Sequence, residues 1–177
     1  YNNSDISIFD YGCGTGRMIL ALKCAGFKNS FGADVVSKFD NDLFYKLGFG
    51  ENSFKLIEDN KIPYADKTFD VICSNEVIEH VFDHHNYYSE ASRVLKKNGI
   101  VYIHAPQRLQ PYDTHSRCWF IHYFPEKIRI LFWNMFTRQG GKYLNSYLNL
   151  KTINYHKKIS LLYFSSFKTN TEKKIKA

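Results

Sequence analysis

Phe9-Asp10-Tyr11-Gly12-Cys13-Gly14-Thr15-Gly16-Arg17 is the stretch on which the reading of this chain turns. The apolar run over 6–11 stops at Gly12. Residues 17–25 then carry Met18, Ala21, Leu22 and Ala25 at helical spacing, with Gly26 after them as a stop. The stretch is a strand, a glycine turn and a helix. Glycines there permit positive φ and let a ligand approach the backbone, while the helix start offers free N–H donors. The spacing is GxGxG. A dinucleotide fingerprint would need a small residue where Arg17 stands, and the Gly-Lys-Ser/Thr of a P-loop is absent.

Outward from the turn the alternation continues. Residues 30–36, 54–58, 69–74 and 100–105 read as strands two to five, and Pro106 stops the last of them. Residues 39–47 and 86–97 read as helices, the latter with lysines in its last turn and Asn98-Gly99 after it. Strands and helices joined by short connections make βαβ units. The predicted fold is α/β: a Rossmann-like, doubly wound, mostly parallel sheet with helices on both faces. Ligands of such sheets gather beyond the carboxyl ends of the strands, where strand order reverses. Acidic residues stand near three of those ends: Asp10, Asp34, and the pair Glu58 and Asp59. Asp34 comes 18 residues after Gly16, placed to accept bonds from ribose hydroxyls.

Residues 107–177 lose this rhythm. Residues 126–136 form an amphipathic helix, Gly140-Gly141 breaks it, 154–164 give another helix, and 167–170 begin a strand before a Lys-rich end. Neither a repeat nor a flexible linker interrupts the chain. The reading is one domain over 1–177, with a cofactor-binding core over 1–106 and a substrate-side cover over 107–177.

The chain has 177 residues, 44% of them hydrophobic and 23% charged, which excludes a disordered or low-complexity class. Nothing approaches the roughly eighteen apolar residues of a membrane span. The polar start and the missing initiator Met read as a trimmed chain without a signal peptide. Cys13, Cys24, Cys73 and Cys118 form no CxxC pair and fit reduced thiols, hence a cytoplasmic protein with no metal site. Charge divides unevenly. Residues 1–99 hold 11 Lys/Arg against 14 Asp/Glu, whereas 100–177 hold 13 against 3, so an anionic partner belongs with the second part.

Three motifs carry a resemblance. Residues 9–16 resemble the first motif of class I S-adenosylmethionine-dependent methyltransferases. Residues 62–81, with Ile62-Pro63-Tyr64, Phe69-Asp70-Val71-Ile72 and Val77-Ile78-Glu79-His80-Val81, resemble a characteristic stretch of the type 11 branch, which includes ubiquinone and menaquinone methyltransferases. Arg93-Val94-Leu95-Lys96-Lys97-Asn98-Gly99-Ile100 resembles that branch's passage into strand five. The likeness covers about residues 5–106. It implies that Gly12, Gly14 and Gly16 line the methionine part of S-adenosylmethionine, that Asp10 shapes the turn and meets the amino group, and that Asp34 holds the ribose. Glu58 or Asp59 would meet the adenine, and Asn75 would offer its backbone carbonyl to the cofactor's amine. The family's sixth and seventh strands form an antiparallel pair, of which this sequence holds at most a beginning near Phe167. The helix that commonly precedes strand one is also missing.

Methyl transfer from a sulfonium needs alignment in a dry pocket, and a general base only where the acceptor must lose a proton. Histidine suits that role. His115 resembles a histidine found after strand five in type 11 relatives, although Gln107 stands where they carry Asn. His80 is read as sharing a helical face with Glu76 at i, i+4, while Val77, Ile78, Val81 and Phe82 mark the buried stripe. His104 is read as buried in strand five, and His84-His85 as a solvated pair. The Asn/Asp-Pro-Pro-Tyr/Phe segment of base-nitrogen methyltransferases is replaced by Ser74-Asn75-Glu76-Val77, which disfavours nucleic acid. The implied activity is methylation, at oxygen or carbon, of a small-molecule or lipid-linked acceptor. An RNA methyltransferase and a non-catalytic module holding an anionic partner are the alternatives. The run over 118–136 mixes aromatics with Lys127 and Arg129. It reads as a cover over the substrate pocket or as a surface peripheral to a membrane.

Overall fold

A computed structural model of the chain describes residues 5–47, 53–113, 118–136 and 148–169. Strand β1 (Ile8–Tyr11) is buried at all four positions, as a strand flanked on both edges and covered on both faces must be. It pairs in parallel with β2 (Ser30–Asp34) on one side and with β4 (Phe69–Asn75) on the other. Strand β3 (Phe54–Leu56) lies outside β2, and β5 (Leu95–His104) lies outside β4, giving the order β3-β2-β1-β4-β5. Strand order reverses between β1 and β4. The glycine turn and Asn75 flank that point, so every carboxyl end faces one edge of the sheet.

Helices cover both faces. On one, α1 (Arg17–Cys24) and α2 (Asn41–Lys46) close a small core of Cys13, Ile19, Phe39 and Phe44. On the other, α3 (His84–Val94) buries Tyr87, Tyr88, Ala91 and Val94 against Phe9, Tyr11, Phe69 and Ile72. Tyr11 and Tyr87 stack with ring centroids 4.6 Å apart, and Phe9 and Phe69 at 4.8 Å. Helix α4 (Glu126–Phe136) forms where the spacing predicts it. It follows a short antiparallel pair, β6 (Tyr112–Asp113) with β7 (Cys118–Trp119). Helix α5 (Ile153–Ser160) lies on the outer side of α3.

Several boundaries differ from the sequence reading, each for a local reason. Strand β2 stops at Asp34 because its carboxylate accepts the Val36 N–H at 3.0 Å and turns the chain. Helix α3 starts earlier, capped by Asp83, whose carboxylate accepts the Asn86 N–H at 2.9 Å. It also ends earlier. Leu95 already pairs with Phe69, and the residues up to Gly99 bulge before Ile100 meets Val71. Lys96 is thus no helix residue; its Nζ pairs with Asp70 at 2.8 Å. Helix α5 stops at Ser160, and Ser92 Oγ then donates to the Tyr163 carbonyl, holding that turn on α3. Residues 167–169 join no strand, and Asn170 lies outside the described residues, as do Gly140 and Gly141.

Two histidine readings are corrected here. His84 is buried (2% exposed), with Nε2 toward the Ile78 carbonyl at 3.2 Å and Nδ1 toward Tyr155 Oη at 3.3 Å, because α5 covers this end of α3. His85 remains exposed and reaches Tyr163 Oη at 3.2 Å. His104 is exposed, since it shares with Ile100 and Tyr102 the face of β5 that the described residues leave open to solvent.

One ion network ties the motif at 62–66 to α3. Arg93 donates to both Glu90 oxygens at 2.7 Å, to Asp66 at 2.8 Å, and to the carbonyls of Ile62 and Tyr64 at 2.8 and 2.9 Å. Glu90 also accepts the Ile62 N–H at 2.8 Å. Arg93→Met strands a half-buried carboxylate and two carbonyls, and is expected to cost about 2 kcal/mol. A thermal melt of this variant beside Arg93→Lys measures it; a melting point equal to the parent's contradicts the assignment.

Candidate functional site

The turn after β1 is built by backbone. The N–H groups of Gly12 and Cys13 both donate to the Ala33 carbonyl, at 2.8 and 3.2 Å, and Gly16 N–H donates to the Cys13 carbonyl at 2.9 Å. Gly12, Gly14 and Gly16 all have positive φ (81°, 53° and 82°), which side chains of L-residues rarely tolerate. Their surroundings differ. A Cβ at Gly12 would overlap Val77, and one at Gly16 would overlap the Phe39 ring, whereas one at Gly14 would meet nothing within 4 Å. The outer glycines therefore permit packing, and the middle one borders open space.

Helix α1 begins immediately behind that space. Its N-cap is Gly16, without a side-chain cap or an acidic residue in the first turn, so its N–H groups remain available to an anion. Asp34 reaches back from β2. One carboxylate oxygen accepts the Gly14 N–H at 2.8 Å and the other the Val36 N–H at 3.0 Å. A carboxylate offers about four lone-pair sites, so Asp34 retains capacity for a diol.

Asp10, the residue before last in β1, is only 4% exposed. Burial, assisted by the nearby Asp34 carboxylate, pushes its pKa up to about 7. A carboxylate held that way takes a cation readily, because the cation offsets both penalties. Burial likewise raises the thiols of Cys13 and Cys73, as befits packed cysteines. The features about the turn fit an α-amino acid joined to a ribose: N–H donors for its carboxylate, Asp10 for its ammonium and Asp34 for its hydroxyls.

The remaining candidates fall as follows. Glu58 lines an open cleft of about 300 Å³ with Leu56, Lys61, Ile62, Pro63 and Tyr64, while Asp59 sits beside it at the tip of a turn with φ 50°. Asn75 ends β4 opposite His104, exposed at the switch point. The helix expected after β4 is absent. Glu76 has φ 55° and its N–H donates to the His104 carbonyl at 2.8 Å, so only a 3-10 turn at Ile78–His80 follows. The i, i+4 alignment of Glu76 with His80 is thereby lost, Phe82 is 72% exposed, and Glu79 is buried instead. His80 is exposed on that turn. His115 lies outside the described residues.

Sequence reasoning missed a cluster farther along. Arg108, His122, Arg129 and Asn149 line a polar cleft, although they lie 41 positions apart from first to last. Only the clustering of positive charge in this part of the chain hinted at it.

A family model described as a methyltransferase domain, type 11, matches residues 9–103. A ubiquinone biosynthesis O-methyltransferase from Pelagibacter ubique is 34% identical over 104 residues, which cover 56% of this chain and 41% of that protein. A 27-O-demethylrifamycin SV methyltransferase from Amycolatopsis mediterranei is 28% identical over 96 residues, covering 52% and 35%. The matches thus span well under half of these relatives' lengths. Among solved structures, the YcgJ protein from Bacillus subtilis superposes with a TM-score of 0.60 over 87% of this chain and 59% of that one, at 18% identity.

Proposed function

The chain belongs to the type 11 methyltransferase domain family, and on that premise we propose that it transfers a methyl group from S-adenosylmethionine to a small-molecule or lipid-linked acceptor, at oxygen or carbon. The observation that carries this reading is the pairing of open space over Gly14 with Asp10, Asp34 and the uncapped start of α1, all at the switch point of the sheet. Gly12, Gly14 and Gly16 would line the methionine part, Asp10 would face its ammonium and Asp34 the ribose. Glu58, which lines the cleft beside β3, is assigned to the adenine ahead of Asp59, and Asn75 would offer its backbone carbonyl. The bound sulfonium supplies an already activated methyl group. The protein's part is to hold the acceptor in line and exclude water.

A hydroxyl acceptor must also lose a proton. In this reading His115 takes it, with His80, an exposed imidazole beyond β4, as the second candidate. The names of the two relatives, both O-methyltransferases, support oxygen as the acceptor atom.

No helix among the described residues is long and apolar enough to cross a membrane. Helix α4 turns Ile128, Leu131, Phe132 and Met135 toward solvent at helical spacing, and Trp119 and Phe120, earlier in the chain, are exposed as well. We read the protein as cytoplasmic, and that stripe supports work at a membrane surface, where a lipid-linked acceptor would be met.

Calorimetric titration of the chain with S-adenosylmethionine and S-adenosylhomocysteine tests the proposal. Saturable one-to-one binding of both is expected; no heat from either ligand would remove the methyltransferase reading.

A further inference from the structure

The polar cleft of about 340 Å³ that Arg108, His122, Glu126, Arg129, Trp133 and Asn149 enclose lies outside the cofactor turn. Most of its lining comes from α4 and the turn before it, and two further lining residues tie the cleft to the carboxyl ends of β5 and β4. Arg108 follows β5, and its N–H donates to the Lys151 carbonyl at 3.2 Å. Asn149, two residues before Lys151, ties the same segment to the turn after β4, its N–H donating to the Glu79 carbonyl at 2.6 Å and its side-chain amide to the Val81 carbonyl at 2.8 Å. Parallel pairing puts those strand ends along the edge that also carries the glycine turn.

We propose that this cleft binds an oxyanion, a carboxylate or phosphate monoester borne by the methyl acceptor, between the guanidinium groups of Arg108 and Arg129. The methyltransferase reading enters only in calling the ligand an acceptor.

Charge is the first argument. The described lining residues include two guanidiniums, Arg108 and Arg129, and one carboxylate, Glu126. Arg129 is half-buried. Burial lowers its pKa, Glu126 on its own helix raises it, and Arg108 across the cleft lowers it. An anion between the two arginines would reverse the repulsive part of that balance.

Geometry is the second argument. Arg129 lies over the Trp133 ring, 5.3 Å from its centroid, and His122 meets that ring edge-on at 5.9 Å. The ring steadies one planar donor fork, while the exposed Arg108 can close from the other side. A guanidinium so placed suits the two-oxygen edge of a carboxylate or phosphate.

The test is calorimetric titration of the whole chain with phenyl phosphate, benzoate and phenol, each with and without saturating S-adenosylmethionine. Phenyl phosphate or benzoate is expected to bind roughly ten-fold or more tightly than phenol, and the tighter of the two identifies the oxyanion. Arg129→Gln and Arg108→Gln should each weaken that binding roughly ten-fold, with Arg129→Lys intermediate and the S-adenosylmethionine titration unmoved. Arg108 is exposed, so its variant gives an answer even where Arg129→Gln folds poorly. Equal affinity for phenyl phosphate, benzoate and phenol overturns the proposal, as does an Arg108→Gln chain that titrates like the parent. Oxyanion binding without S-adenosylmethionine binding keeps this site and removes the methyltransferase reading; the converse removes this site alone.

Discussion

Asp10→Asn is expected to yield a chain that melts higher than the parent at pH 8 yet binds S-adenosylmethionine about a hundred-fold more weakly. The two effects share one cause. In the folded chain Asp10 titrates at about 7, against 3.8 for a free side chain, chiefly through burial and secondarily through Asp34. Between those values the folded state holds a proton that the unfolded state has released. Stability therefore falls as pH rises through that window, and above pH 7 the whole penalty is present. At about 1.4 kcal/mol per unit its ceiling is near ~4 kcal/mol. A neutral amide removes the penalty, so the variant's advantage should be largest at pH 8 and vanish near pH 4.

The same ionisation serves the ligand. A cation beside Asp10 favours the charged carboxylate, so parent affinity should fall about ten-fold per pH unit below 7, and the Asn variant should show a flat profile. Scanning calorimetry at pH 5 and 8, with titrations at pH 6 and 8, covers both limbs. A lower melting point for the variant at pH 8, or parallel affinity profiles, would show that Asp10 does not occupy this role.

How much of this was legible beforehand depends on how local the cause is. The strand-turn-helix around Gly12, Gly14 and Gly16 was readable because backbone strain, strand burial and helix spacing act within a few residues. That the sheet is parallel followed from the rhythm of the elements. The segment after β4 was not readable. Its apolar residues suit a helix, but the left-handed backbone at Glu76 and the contact of Val77 with Gly12 arise from β1 and β5, far away in sequence. His84 was misjudged likewise, since the residue that buries and bonds it, Tyr155, stands 71 positions later. The split roles of the three glycines also depended on distant partners, Val77 and Phe39, that no turn pattern encodes.

That split yields a second large effect. Gly16→Ala places a methyl group into the Phe39 ring at a residue with φ 82°. Phe39 cannot step aside cheaply, because it packs on Phe44 at 4.4 Å and Phe54 at 5.1 Å, inside the core that holds α1 and α2 to the sheet. Backbone strain of roughly 1 kcal/mol and overpacking of about 2–3 kcal/mol give a loss near ~3–4 kcal/mol. Gly14→Ala meets the strain alone, about 1 kcal/mol, since its methyl group enters open space. That space is where the ligand would approach the backbone, so this variant should stay folded while its S-adenosylmethionine affinity drops roughly ten-fold or more. Adding Phe39→Leu to Gly16→Ala relieves the collision, and the pair should be more stable than the sum of the single changes predicts. Thermal melts of the four variants with matching titrations separate these outcomes. A Gly16→Ala chain that melts with the parent would show that Phe39 does not hold this turn, and a Gly14→Ala chain that titrates with the parent would show that no ligand passes over it.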